Sequence, residues 1–160
     1  MPLTRRPATA ADVPFLLELR RLTMDAHLAA AGLSLSDANH LQRVEVDFDA
    51  ARVLEQDGRP VGLLKLARRG LEWELVQIQL APALQGGGHG RALLEELIAE
   101  ARQAGATVRL SVLKVNPARR LYERLGFVVE TENEHSFGMV CGGTAALATP
   151  RRPSPAAPPA

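Results

Sequence analysis

The sequence predicts an α+β fold: a mixed, mostly antiparallel central sheet of about seven strands flanked by helices. Its 160 residues leave room for one core of ordinary size. Between Ala51 and Leu80 three short apolar runs are split by Gly-containing turns, the pattern of an antiparallel meander. After Pro82 the period lengthens, and helix and strand patterns alternate to Val140.

In order, Leu3 to Arg6 is a short strand candidate. Thr9-Ala-Ala-Asp12 then offers capping oxygens before Val13, Leu16, Leu17 and Leu19, whose spacing predicts a first helix. Met24, His27 and Leu28 follow on a segment that fits helix or loop. A second helix is expected from Ser36-Asp37 to Asp47. Ala51 to Glu55, a turn at Gln56-Asp-Gly58, Val61 to Ala67, Arg68-Arg-Gly70, and Trp73 to Leu80 make the meander. Leu93, Leu94, Leu97, Ile98 and Ala101 recur at helical spacing, with Gly105 just past the end as a C-cap. Thr107 to Val112 reads as a strand, and Pro117 to Leu125 as a helix between Asn116 and Gly126. Phe127 to Thr131 and Phe137 to Val140 are the last two strands.

Composition removes several function classes. Hydrophobic residues make up 46% and charged residues 23%, which fits neither a disordered chain nor a membrane protein. No apolar run approaches the roughly 18 residues of a membrane span, and Met1 to Arg6 has no apolar signal core, so a cytoplasmic location is expected. A net charge of +1 gives no whole-surface attraction to nucleic acid or anionic lipid, and any anion site must be local. Aromatic residues, at 4%, supply no stacking platform for bases. Cys141 is the one cysteine, and with His27, His40, His89 and His135 scattered there is no zinc pattern, so no metal is expected. Residues 1–141 are expected to form a single domain. Residues 142–160, rich in Gly, Ala, Thr and Pro, are expected to form a disordered tail, with Arg151-Arg152 as a docking element the alternative.

Gln85-Gly86-Gly87-Gly88-His89-Gly90 carries the most chemistry, lying between a strand and the strongest helix pattern. Unpaired backbone N–H groups and the positive dipole end at a helix start suit a phosphate, although a glycine run also serves as a plain connector. The dinucleotide fingerprint fails, since Leu93 stands where its third glycine belongs and Thr107 to Val112 ends without an acidic residue. A P-loop fails as well, because His89-Gly90-Arg91 replaces its Gly-Lys-Ser/Thr.

Gln85-x-x-Gly88-x-Gly90 resembles the acetyl-CoA motif of the GNAT superfamily of N-acetyltransferases, and Ala118-x-x-Leu121-Tyr122-x-x-x-Gly126-Phe127 is similar to that family's next helix and turn. The likeness covers Leu71 to Val140, while the amino-terminal third matches by element order alone. It implies a sheet splayed between strands 4 and 5, with acetyl-CoA as co-substrate. Ile78, Gln79 and Leu80 would line the pantetheine, and Gln85, Gly86, Gly87, Gly88, His89, Gly90 and Arg91 the phosphates. Arg119 and Arg120 would reach the nucleotide end or simply be solvated.

Tyr122, the one tyrosine of the chain, takes the place where the family often has a general acid near the thioester sulfur; the alternative is a half-buried ring beside Leu121 and Leu125. An alkylammonium with a pKa of about 10.4 must lose a proton before it attacks. Glu74 occupies a position similar to the family's proton-accepting glutamate, with an exposed strand carboxylate the alternative. Strand alternation puts Glu72, Glu74, Val76, Ile78 and Leu80 on one face and Trp73, Leu75, Gln77 and Gln79 on the other, unless a bulge intervenes. Asn116 precedes Ala118 by two residues where the family has three, so a capping role is set against its cofactor contact. His89, His135 and Cys141 are read as non-catalytic.

The function implied is direct acetyl transfer from acetyl-CoA to a primary amine in a ternary complex; the alternative is a non-catalytic acyl-CoA-binding or regulatory domain. Expected partners are a small-molecule or peptide amine acceptor, with no nucleic acid and no membrane. Homodimers are common among similar proteins, but no motif here specifies one.

Overall fold

A computed structural model describes residues 2–142. The chain runs β1 (Thr4–Pro7), α1 (Val13–Ala30), α2 (Asp37–Glu45), β2 (Ala51–Gln56), β3 (Arg59–Arg69), β4 (Glu72–Leu80), α3 (His89–Ala104), β5 (Thr107–Leu113), α4 (Ala118–Arg124), β6 (Val128–Glu132) and β7 (Ser136–Cys141). The tail expected from residue 142 lies, beyond Gly142, outside the described residues.

The strands form a seven-stranded sheet in the order β1-β2-β3-β4-β5-β7-β6. β4 and β5 run parallel, joined through the crossover helix α3 that a parallel pair requires. The β1–β2, β2–β3, β5–β7 and β6–β7 pairs are antiparallel, giving the mixed α+β sheet expected. The parallel ladder pairs Glu72–Leu75 with Thr107–Leu110, whereas β4 continues to Leu80 and β5 to Leu113.

Element ends differ from expectation for local reasons. The segment around Met24, His27 and Leu28 is helix, and α1 has 18 residues, because Leu16, Arg20, Met24 and Leu28 continue one buried stripe at spacings of four. α2 stops at Glu45, short of Asp47, because Val46 is already extended at ψ 131° and Asp47, with a φ of 49°, then turns in the left-handed region. Ser36 caps α2 as expected, its hydroxyl accepting from the Asn39 N–H at 3.2 Å.

The described residues cluster into two compact units. The first comprises residues up to Leu66 together with Gln77–Gly90. Its apolar core is Leu16, Leu19, Val44, Ala51 and Leu63, with Phe15 and Phe48 packed against it. Asp12 pins β1 to the start of α1, accepting from Nη1 and Nη2 of Arg6 and from the Thr9 N–H. Arg6 first, then the Thr9 amide, draws this carboxyl down to about 2, against the opposing effect of burial. Gly62 lies so close to β4 that a Cβ there would stand 2.7 Å from the Gln79 carbonyl.

The second unit comprises Ala67–Val76 and the described residues from Arg91 on. Leu93, Leu94, Leu97, Ile98 and Ala101 are the buried stripe of α3, and Val108, Leu110, Val112, Leu113, Phe127, Met139 and Val140 are buried with them. β6 carries a bulge: Val129 pairs with Met139 and Thr131 with Gly138, leaving Glu130 as the extra residue, where its carboxylate meets Arg109 at 3.2 Å.

Candidate functional site

The glycine loop has the geometry its sequence calls for. Gly86 and Gly88 have φ of 83° and 81°, a region that glycine alone enters freely, and a Cβ at either would meet nothing within 4 Å. The loop therefore opens α3 with free space over Gly86 and Gly88, at a helix amino terminus of the kind that suits a phosphate. Gln85 folds back on the strand, its side-chain amide donating to the Leu80 carbonyl at 3.1 Å. His89 is the first residue of α3, its ring beside Gly87, and Gly90 stands next to Leu80. Arg91 is exposed and paired with Glu95 at 2.7 Å.

On β4 the alternation holds apart from Val76. Trp73, Leu75, Gln77 and Gln79 are buried, Glu74, Ile78 and Leu80 are half-buried and Glu72 is exposed. Ile78, Gln79 and Leu80 lie beyond the paired stretch of the parallel ladder, as a strand offering backbone groups to a ligand requires. Glu74 lies inside that stretch, opposite Arg109, with its carboxylate on Arg69 at 3.3 Å.

Tyr122 is buried on α4, its ring packed edge-on to Phe127 with centroids 5.8 Å apart. Burial pushes its phenol up to about 12, so the hydroxyl keeps its proton across the neutral range. Asn116 caps α4, its Oδ1 accepting from the Ala118 N–H at 2.9 Å. Arg119 lies over the Phe137 ring at 4.8 Å and pairs with Glu123 at 3.1 Å. Ile78, Gln79, Leu80 and the loop through Gly90 thus belong to the first unit; Glu74, Arg91, Asn116, Arg119 and Tyr122 belong to the second. The Cys141 thiol is buried and raised by burial, the opposite of an activated nucleophile.

A polar cluster in the first unit escaped the sequence reading. Lys65, fully buried on β3, donates to the carbonyls of Arg43, Val44 and Val46 at 3.0, 3.0 and 2.6 Å, closing the carboxyl end of α2. Gln77 donates to the same Arg43 carbonyl at 2.9 Å. Arg20 donates from Nε to Nδ1 of His40 at 3.1 Å, so the proton of this ring sits on Nε2, 2.8 Å from Asp25 Oδ1. Burial and then Arg43 pull Arg20 down to about 10 and Lys65 to about 8. The available signal was Arg20 standing at the helical spacing of Leu16 and Met24, and Lys65 amid an apolar strand.

A mixed sheet in which β4 and β5 run parallel, with a glycine loop opening the helix between them, is the fold the GNAT resemblance implied. The profile of the acetyltransferase (GNAT) family matches residues 16–127, most of the chain, and the protein belongs to that family. A [ribosomal protein bS18]-alanine N-acetyltransferase of Haemophilus influenzae is 42% identical over 57 residues, 35% of this chain and 39% of that relative's length. Among solved structures, the PaiA N-acetyltransferase of Thermoplasma acidophilum in complex with coenzyme A is similar with a TM-score of 0.69 and 19% identity, over 89% of this chain and 99% of that one. The ribosomal-protein-S18-alanine N-acetyltransferase of Escherichia coli is similar with a TM-score of 0.65 and 24% identity, over 88% and 94% of the two chains.

Proposed function

We propose that residues 1–141 act as one catalytic domain that moves an acetyl group from acetyl-CoA to a primary amine by direct attack. The observation that carries this reading is the glycine loop at the head of α3, open over Gly86 and Gly88, in a GNAT-family chain. Its amides would hold the pyrophosphate, and the backbone of Ile78 to Leu80 would hold the pantetheine as an added strand.

In the transfer, the amine nitrogen forms the new bond to the acetyl carbon and the carbon–sulfur bond breaks. Tyr122, a phenol that stays protonated, would donate to the departing sulfur. Glu74 would take the proton the amine loses. Four residues of extended strand, roughly 13 Å, separate Glu74 from Ile78, so that proton would travel through water. The products are the N-acetylated amine and CoA.

Isothermal titration of acetyl-CoA tests the reading, repeated with Gly88→Asp, which adds a negative charge and a side chain at φ 81°. Micromolar binding lost in the variant is the expected result. No binding by the wild type would remove the donor assignment, and binding without CoA release across an amine panel would leave a CoA-binding domain.

A further inference from the structure

We propose that Gln85 and Gly62 act through Leu80 as positioning residues, holding the glycine loop and the open edge of β4 in one arrangement so that the donor's pyrophosphate and pantetheine are met together. This rests on the acetyl-transfer reading above and adds to it two residues that set donor affinity by fixing the site before the donor arrives.

Direction is the first argument. The N–H of Ala81 donates to the Val61 carbonyl on β3 at 2.8 Å. In a trans peptide the carbonyl of the preceding residue points the opposite way, and no peptide bond among the described residues is cis, so the Leu80 carbonyl points away from β3. That is the side of β4 on which the parallel ladder has already ended at Leu75. The side-chain amide of Gln85 donates to this carbonyl at 3.1 Å. The residue that opens the glycine loop is thus bonded to the strand edge on which an added strand would lie. A carbonyl has two lone pairs, so the contact leaves Leu80 able to accept from a ligand as well.

Packing is the second. The Leu80 side chain stands between two glycines. One of its methyls lies 3.0 Å from where a Cβ on Gly62 would be, and the other 3.7 Å from where a Cβ on Gly90 would be. The same Cβ on Gly62 would also press on the backbone carbonyl of Gln79 and on Leu54. A side chain at Gly62 therefore has to move β4 at Gln79 and Leu80, and a shift of Leu80 reaches both ends of the loop: Gln85 through the carbonyl, Gly90 through the methyl.

Ordering cost is the third. Gly86, Gly87 and Gly88 in succession have more backbone freedom to lose than other residues. Restraint of the loop at both ends by one residue removes part of that loss before binding, which is how preorganisation raises affinity.

The test separates loop order from ligand contact. Gln85→Met keeps the length of the side chain and removes its donor. Acetyl-CoA is titrated into the full-length protein, into Gln85→Met, into Gly62→Ala and into the double variant, and amide hydrogen exchange of Gly86 to His89 is followed in each without ligand. Gln85→Met should weaken acetyl-CoA about 3- to 10-fold, the scale of one neutral hydrogen bond, and speed loop exchange in the donor-free protein by about the same factor. Its unfolding midpoint should stay at the wild-type value, because the side chain is exposed. Gly62→Ala should also weaken binding and speed exchange, and the double variant should lose less than the product of the two fold-changes, since both act on Leu80. Wild-type affinity in Gln85→Met overturns the proposal. Weaker binding with loop exchange unchanged overturns it too, in favour of a direct contact between Gln85 and the donor. Independent losses in the double variant overturn the shared role of Leu80. If Gly62→Ala fails to fold, the two readouts on Gln85→Met decide alone. Absence of acetyl-CoA binding by the wild type, with loop exchange still faster in Gln85→Met, overturns the acetyl-transfer reading instead.

Discussion

The two compact units solve burial in opposite ways. Among the described residues the buried charged side chains Asp12, Arg20, Arg43 and Lys65 lie in the first unit together with the buried ring of His40, while Thr107 and Ser136 are the polar residues buried in the second. The second unit is an apolar core of the kind that sets stability, since transfer of its leucines from water contributes about 1.5–3 kcal/mol each. The first accepts desolvated cations whose burial opposes folding. Part of that cost is returned as structure, because Lys65 closes the carboxyl end of α2 through three carbonyls and Asp12 ties Arg6 to the start of α1.

Four substitutions test this contrast, and the largest effect is on chemistry. Tyr122→Phe keeps the ring against Phe127 but loses the donor, so kcat should fall by about 10² to 10⁴ with the acetyl-CoA affinity unchanged. Steady-state kinetics with wild-type turnover in this variant would remove Tyr122 from the mechanism. Leu97→Ala, in the apolar core, should cost about 2–5 kcal/mol in denaturant unfolding.

Lys65→Met should cost less than Leu97→Ala, because relief of a buried charge offsets the lost donors. Its signature is in pH. The folded lysine releases its proton near pH 8 and the unfolded one near 10.5, so between these values the unfolded chain holds more protons and wild-type stability rises with pH. That contribution to the rise should vanish in Lys65→Met; an unchanged profile would show that the ammonium is not strained. Asp12→Asn should cost about 1–2 kcal/mol at pH 7 by weakening the cap and the Arg6 pair. Because the folded Asp12 carboxyl is depressed to about 2 from 3.8, this contribution is present above pH 3.8 and is lost as pH falls through 2. The gap between variant and wild type should therefore close in acid.

What was legible in the sequence were features whose causes lie within a few residues. The helical stripe of α3, the Asp57-Gly58 turn, the Asn116 cap and the glycine loop each depend on local spacing or on one backbone conformation. Strand alternation also grouped Gln77 and Gln79 with Trp73 and Leu75, which are buried together. What that face meets was not legible. Lys65 finds its acceptors about 20 residues away on carbonyls, which any side chain could have carried, and Arg20 finds His40 across the turn between α1 and α2. The pairing of Glu74 with Arg69, five residues apart, depended on the β3–β4 turn geometry rather than on composition.

The bulge in β6 has a consequence for how the protein behaves at high concentration. β6 and β1 are the two free edges of the sheet, and a free edge is a template on which a stray strand can pair. Val128 and Val129 make the β6 edge apolar as well as open. The extra residue at Glu130 breaks its row of backbone donors and acceptors in the middle, and Glu132, held by Lys114, adds a charge at its end. At the other edge Pro7 contributes no N–H, beside Arg5 and Arg6. Both borders of the sheet thus carry features that disfavour edge-to-edge pairing.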